Sequence, residues 1–401
     1  MTEDLQKGLR EITASEILDK IQKGEPVEYE DVIVKGNLDI SKLGLPKENE
    51  KFLVCSPIKV IDSQIDGSVF FSNTIFSGYA SFQGATFRGD ANFDGATFHG
   101  YVDFNKATFR RNTNFKGATF NKKADFSSAM FNRDAYFSVA TFIEEGCFSR
   151  SKFNGDINFG SATFRGYADF LISTFRGYAD FNGATFNEVV NFSRAAFSGY
   201  ASFDSANFVK SFSLNLTKYE KLYIRWRDIT VPKYQWRILA KYQWKILENW
   251  RKVKQLDYDD ATYLMLIENF KNLGLFEDAD NIYYIYRTER RRNLPTPYKP
   301  IDWIIMALYG YGVKPLRPFV GLLIVLVAFG LLYSYFGIAG NTPLDAFNTS
   351  SAILLSGSQL IGTPTYPTPG LLPYWIFTSE KLLGSLFFGL FLISIGRTII
   401  R

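Results

Sequence analysis

The sequence predicts a mainly β solenoid joined, through an α-helical connector, to an α-helical transmembrane hairpin. Three observations carry this. Phenylalanines recur from Phe71 to Phe208 at alternating steps of five and six, a basic stretch rich in Trp and Tyr follows Phe212, and two apolar stretches lie beyond residue 318. A chain of 401 residues has room for two or three domains. Most of the 39 phenylalanines precede residue 210, whereas aliphatic residues gather after 318, so two different cores are implied. The net charge of +5 is modest, and its location matters more than its size: between Thr217 and Arg317 there are 19 Lys plus Arg against 12 Asp plus Glu.

The ladder holds 26 phenylalanines without a gap, in an eleven-residue unit clear in Ala80-Ser81-Phe82-Gln83-Gly84-Ala85-Thr86-Phe87-Arg88-Gly89-Asp90. A small residue stands two before most rings, as at Ala80, Ala85, Ala91, Ala96, Ala107, Ala118, Ala124, Ala168, Ala179 and Ala201. On an extended segment, positions two apart share a face, so each ring and its Ala point inward while the Thr, Asp or Asn between them points out. Gly84, Gly89, Gly95, Gly100 and Gly183 suit corners that need backbone freedom. Steps of five and six land on no single helical face, which excludes an amphipathic helix.

The triplets Ala168-Asp169-Phe170, Ala179-Asp180-Phe181 and Ala91-Asn92-Phe93 resemble the unit of the pentapeptide-repeat family over about a third of the chain. That resemblance implies a right-handed quadrilateral β-helix. The chain departs from the family's regular step by one extra residue at every second corner. If four sides persist, each turn takes about 22 residues and the run makes about six turns stacked about 4.8 Å apart. Some members of the family imitate DNA, which needs a strongly acidic surface. With 12 acidic and 13 basic residues from Phe71 to Phe208, the ladder is near neutral and fits a scaffold or binding platform instead.

Solenoid ends expose apolar faces and open edges, so caps are expected. Residues 1–57 form the N-terminal cap, with Ile12 to Gly24 as a short amphipathic helix and Val27 to Leu43 as an irregular first coil; residues 58–215 form the solenoid, Ile58 to Val69 being irregular as well. The connector, 216–300, contains the tandem Lys233–Ala240 and Lys241–Glu248, each beginning Lys-Tyr-Gln-Trp. Basic aromatic stretches can mark nucleic-acid binding. Here the stretch leads directly into apolar spans, which favours anionic membrane lipid and no nucleic acid. Asp259 to Leu273 and Phe276 to Arg292 read as a helical hairpin with Gly274 as its stop.

Residues 301–401 form the membrane domain, opening on an interfacial helix. Phe319 to Gly340 gives 22 uncharged residues, about 33 Å as a helix and enough to cross a bilayer. The second apolar stretch, Leu382 to Gly396, reaches crossing length only if extended back to about Tyr374, which brings Glu380 and Lys381 inside. Charges inside a span are tolerated where they face protein or water. Lys314 and Arg317 precede the first span and Arg397 and Arg401 follow the second, so both termini are expected in the cytoplasm, in a multi-pass protein of the cell membrane. The first ten residues carry no apolar run, and no secretory signal is expected.

Between the spans, about 343–360 starts as a helix at Pro343 and Asp345 but is too polar for lipid, and Gly362 to Gly370 cannot be helical. A half-crossing helix with a non-helical return is allowed at membrane depth only within protein or water. Its carboxyl end presents a negative dipole end, which favours a cation. Span, re-entrant helix, loop, span resembles the two-transmembrane pore module of potassium-channel-like proteins, and Glu380 to Arg397 is similar to their inner helix. The resemblance implies a homotetramer around a pore and a transported ion. It places Ser358, Gln359, Leu360, Ile361, Gly362 and Thr363 at the filter, Gly384 and Gly389 as hinge glycines, and Gly389 and Ser394 on the pore lining. With Pro367 aligned to the family's closing proline, Gln359 to Pro364 stand where Thr-Ile-Gly-Tyr-Gly-Asp belongs, so potassium selectivity does not follow. Gly310-Tyr311-Gly312 precedes the first span and cannot be that filter.

An enzyme finds little footing: the one histidine, His99, lies within the repeat at an outward or corner position, and no metal spacing or phosphate loop appears. Cys55 and Cys147 are too few and too far apart for a disulfide framework or a zinc site, and no cofactor is implied. Two functions remain: a tetrameric ion channel with a cytoplasmic solenoid, or a membrane-anchored scaffold that does not conduct.

Overall fold

The structure, a computed structural model, describes residues 9–225, 229, 256–337, 342–356 and 371–399. It divides into two units, Met1–Leu273 and Gly274–Arg401. The first is a β-solenoid of four parallel sheets, one of ten strands and three of nine. Side chains repeat every 22 residues, as in the Asn105 amide that donates to the Ser127 carbonyl one coil on. Thr86 lies beside Thr108 and Phe87 beside Phe109. Four sides therefore survive the irregular step. The five-residue side turns tightly through a residue of positive φ, such as Gly84 at 65°, and the six-residue side places its additional residue in an open bend, Arg88 to Asp90.

Alternation along each two-residue strand sends Ala and Phe inward, and nearly every ring of the ladder is completely buried. Rings one coil apart stack in parallel, Phe126 on Phe148 at 5.0 Å and 3°. Rings on different sides meet edge to face, Phe126 and Phe137 at 5.4 Å and 87°. Both geometries suit the ring quadrupole and add about 0.5–1.5 kcal/mol per pair to the area term. At some open bends the backbones approach closely: a Cβ on Gly100 would lie 2.6 Å from the Gly78 carbonyl oxygen, whereas the equivalent bends one and two coils on hold Lys122 and Glu144, which pair at 2.7 Å.

The tight corners carry strain where they lack glycine. Val139 sits at φ 59° with its side chain 57% exposed. The left-handed conformation costs a non-glycine residue about 1–2 kcal/mol, and a β-branched side chain suffers most. Val139→Gly is therefore expected to raise stability by about 0.5–1 kcal/mol, after allowing for the greater freedom of glycine in the unfolded chain. A thermal-unfolding midpoint that falls instead would contradict this reading of the corner.

One outward column runs through Asp103, Asp125, Cys147, Asp169 and Asn191. Burial pushes the Asp103 and Asp169 carboxyls above the usual carboxylate range. An acid whose folded pKa is raised destabilises the fold once ionised, so this penalty is present at neutral pH and disappears as pH falls below the unfolded value. The Asp103 carboxylate accepts from the Asn105 amide at 2.8 Å, and Asn191 accepts the same bond from Ser193 at 2.9 Å without a charge. Asp103→Asn is expected to stabilise at pH 7, by less than about 1 kcal/mol because the group is half screened by solvent. The gain should vanish on acidification in paired pH-dependent melts.

The coils end in two different caps. At the amino end, α1 (Ala14–Lys23) is started by a reciprocal capping box between Thr13 and Glu16 and stopped by Gly24 in the left-handed region. It buries Ala14, Ile17 and Ile21. The next coil is lengthened, so that Lys35 bridges to Asp66, 31 residues on. The extra length lies in a 3₁₀ turn at Ile40–Lys42 and an antiparallel pair of Lys47–Glu48 with Lys51–Val54. At the carboxyl end, α2 (Asp260–Asn272), capped by Asp259, buries Tyr263, Leu266, Ile267 and Phe270. Its Asn269 side chain accepts from the Leu222 amide at 3.1 Å and donates to the Leu222 carbonyl at 2.8 Å. One side-chain amide thus satisfies the Leu222–Tyr223 strand as a further coil would, and closes that part of the open edge.

The second unit contains α3 (Phe276–Arg290), α4 (Lys299–Tyr309), α5 (Leu316–Phe336), α6 (Pro343–Ser356) and α7 (Leu371–Ile399). The two helices expected as one connector hairpin, α2 and α3, thus fall in different units. The tandem Lys233–Glu248 lies outside the described residues.

Candidate membrane-embedded site

Among the described residues, two helices are long and apolar enough to cross a membrane, Leu316–Phe336 with mean hydropathy 2.3 and Trp375–Arg397 with 1.6. Between them packs α6, whose 14 residues span only about 21 Å, short of a hydrocarbon core of about 30 Å. Close approach is bought by glycine: a Cβ on Gly330 would lie 2.5 Å from the Phe347 ring of α6, and one on Gly321 would lie 2.3 Å from the Phe387 ring of α7. Tyr333, Ala346 and Ile353 form the buried centre of this bundle, flanked by Phe329, Ile376 and Phe377.

One polar contact joins all three helices. Glu380 of α7 is fully buried. It accepts from the Tyr333 hydroxyl of α5 and is bonded to the Ser350 hydroxyl of α6. Ser350 also lies 3.1 Å from the Leu326 carbonyl of α5. A carboxyl enclosed by protein has no water to satisfy it, so the hydroxyls hold the carboxyl and the carboxyl holds the short helix between α5 and α7.

A second polar centre lies at the Gly310-Tyr311-Gly312 turn before α5. All three residues adopt positive φ and Tyr311 is buried. Its hydroxyl donates to Asp302 of α4 at 2.5 Å, and Arg287 of α3 pairs with the same carboxylate at 3.0 Å while stacking 4.6 Å from the Tyr311 ring centre. Burial, together with the Asp302 carboxylate, pushes the Tyr311 hydroxyl upward in pKa. The end of α7 is tied to this centre. Ser394 donates to the Gly312 carbonyl at 3.2 Å, and Arg397 lies 3.5 Å from Asp280 and 5.0 Å from the Tyr283 ring centre. On its other side α4 exposes Ile301, Trp303, Ile304 and Ile305.

The filter candidates Ser358, Gln359, Leu360, Ile361, Gly362 and Thr363 lie outside the described residues. Helix α7 runs unbroken through Gly384 and Gly389. Gly384 abuts Leu354 of α6, whereas a Cβ on Gly389 would meet nothing within 4 Å. Ser394, expected on the pore lining, is buried, with its hydroxyl engaged by the Gly312 carbonyl of the same chain. Sequence reasoning singled out Glu380 as a charge within a span but missed its partners. A hydroxyl among apolar residues, at Tyr333, was the available signal.

Residues 62–97, 93–141 and 172–216 match the family model for pentapeptide repeats (9 copies). The solenoid therefore carries pentapeptide repeats. No curated protein and no solved structure matches the chain.

Proposed function

We propose that the chain is one subunit of an ion-conducting membrane assembly in which four copies enclose a pore, with the repeat domain in the cytoplasm for sensing or assembly. The observation that supports this best is α6, whose described 14 residues are shorter than a bilayer core, packed between two helices long and apolar enough to cross and fixed there by a buried carboxyl. A hairpin that only anchors a scaffold has no use for a half-crossing helix, whose ends must be housed in protein or water. The run from Gly362 to Gly370, whose three prolines are not expected to continue a helix, would need the same housing, and neighbouring copies would provide it.

Native mass spectrometry of the full chain in mild detergent is expected to give four copies, and proteoliposomes are expected to dissipate an imposed ion gradient. A monomer that leaves the gradient intact would point instead to a membrane-anchored, non-conducting platform.

A further inference from the structure

Two adjacent charges on α7 have opposite surroundings. Glu380 is enclosed by its own subunit, while Lys381 is exposed and has no hydrogen-bond or ion-pair partner among the described residues. At about 3.6 residues per turn, Thr378, Lys381, Ser385, Gly389, Leu392 and Gly396 fall along one side of the helix. That side faces away from the packed one, which carries Glu380, Gly384, Phe387 and Ser394. It is open as well as polar, for a Cβ on Gly389 or on Gly396 would meet nothing within 4 Å. The neighbouring exposed side differs in chemistry, being built of Trp375, Leu382, Leu386 and Ile393. An apolar side suits lipid, whereas a side with an ammonium group, hydroxyls and bare backbone suits water.

We infer that the Thr378–Gly396 side of α7 lines the water-filled conduit between copies of the chain, and that Lys381 makes this conduit electropositive and its permeant ion an anion. The inference rests on the conducting assembly proposed above and assigns its substrate class. It departs from the cation favoured by the dipole of α6. A helix end presents only about half an elementary charge, whereas each copy adds a full one at Lys381. Like charges ringed in a narrow, low-dielectric passage concentrate the opposite ion.

The test uses the full chain in lipid bilayers under a potassium chloride gradient. The wild type is expected to pass chloride in preference to potassium, Lys381→Gln to lose the preference, and Lys381→Glu to reverse it, with a change in permeability ratio on the order of tenfold or more. Currents whose chloride-to-potassium ratio is unmoved by Lys381→Glu overturn the inference and leave the conducting assembly standing. Water contact is read separately. Cys55→Ser and Cys147→Ser remove the native thiols, and Lys381→Cys or Leu382→Cys is then exposed to a charged, membrane-impermeant thiol reagent. Modification at 381 but not at 382 supports the water-facing side, and equal or reversed labelling overturns it. Silence in every variant overturns the conducting assembly and the anion with it, while the labelling still decides which side of α7 meets water.

Discussion

Phe126→Ala is expected to destabilise the solenoid by about 3–5 kcal/mol, as large an effect as any single side chain in the repeat should have. The ring is fully buried and stacks on Phe104 at 5.1 Å and Phe148 at 5.0 Å. It also meets Phe115 and Phe137 edge-on, at 5.3 and 5.4 Å. Alanine removes these contacts, and those with Phe120 at 6.0 Å and Phe131 at 6.4 Å, and leaves a hole that short strands hydrogen-bonded above and below cannot collapse into. Because each coil touches only its neighbours, the damage should stay local. Hydrogen exchange on the full chain should show faster amide exchange from about Phe104 to Phe148, with the coils beside α1 and α2 unaffected. A uniform acceleration along the whole solenoid would contradict nearest-neighbour stacking as the source of its stability.

Glu380→Leu is expected to have the second largest effect, about 1–3 kcal/mol, by leaving the Tyr333 hydroxyl buried without its acceptor. Ser350 keeps the Leu326 carbonyl at 3.1 Å, so the loss centres on Tyr333. Glu380→Gln should be better tolerated. Its amide oxygen can accept from Tyr333, and its amide hydrogens can donate to Ser350 while that hydroxyl donates to Leu326. Adding Tyr333→Phe to Glu380→Leu should recover most of the loss, since removing both partners of a buried hydrogen bond is nearly neutral where removing one is not. Thermal melts of the four proteins in one detergent test this. A double variant no more stable than Glu380→Leu would show that the carboxyl holds the helices by some other contact.

The solenoid was legible because its signal is redundant. Each phenylalanine of the ladder reports the same inward position, and the steps of five and six already contain the 22-residue coil. What the steps could not show is how the extra residue is absorbed, since that depends on backbone angles. Val139 and Ile172 occupy left-handed corners where composition argues for glycine, because the hydrogen bonds of adjacent coils override local preference. The carboxyl-terminal cap was equally hidden: Asn269 reads as an ordinary polar residue of a helix, and only its distance to Leu222 shows that it replaces a strand.

In the second unit, hydropathy indicated the two helices that are long and apolar enough to cross a membrane and the shorter helix between them, because the composition of such helices is biased over some twenty residues at a time. Individual roles depend on which side of a helix faces which neighbour. Ser394 shows this, since a serine on a spanning helix is equally consistent with a water-filled lining and with a bond to the Gly312 carbonyl. Glu380 and Lys381 are indistinguishable in hydropathy, yet one is enclosed and the other exposed.

Single-channel recording of the purified full-length chain in planar lipid bilayers tests the central claim most directly. If four copies enclose a pore around α6 and α7, stepwise unitary currents should appear, and they should disappear or change in amplitude in a Gly330→Leu variant, whose side chain would push Phe347 of α6 out of place. Electrical silence across permeant ions and voltages, from protein verified as folded and inserted, would contradict the claim and leave a repeat scaffold held at a membrane by two helices.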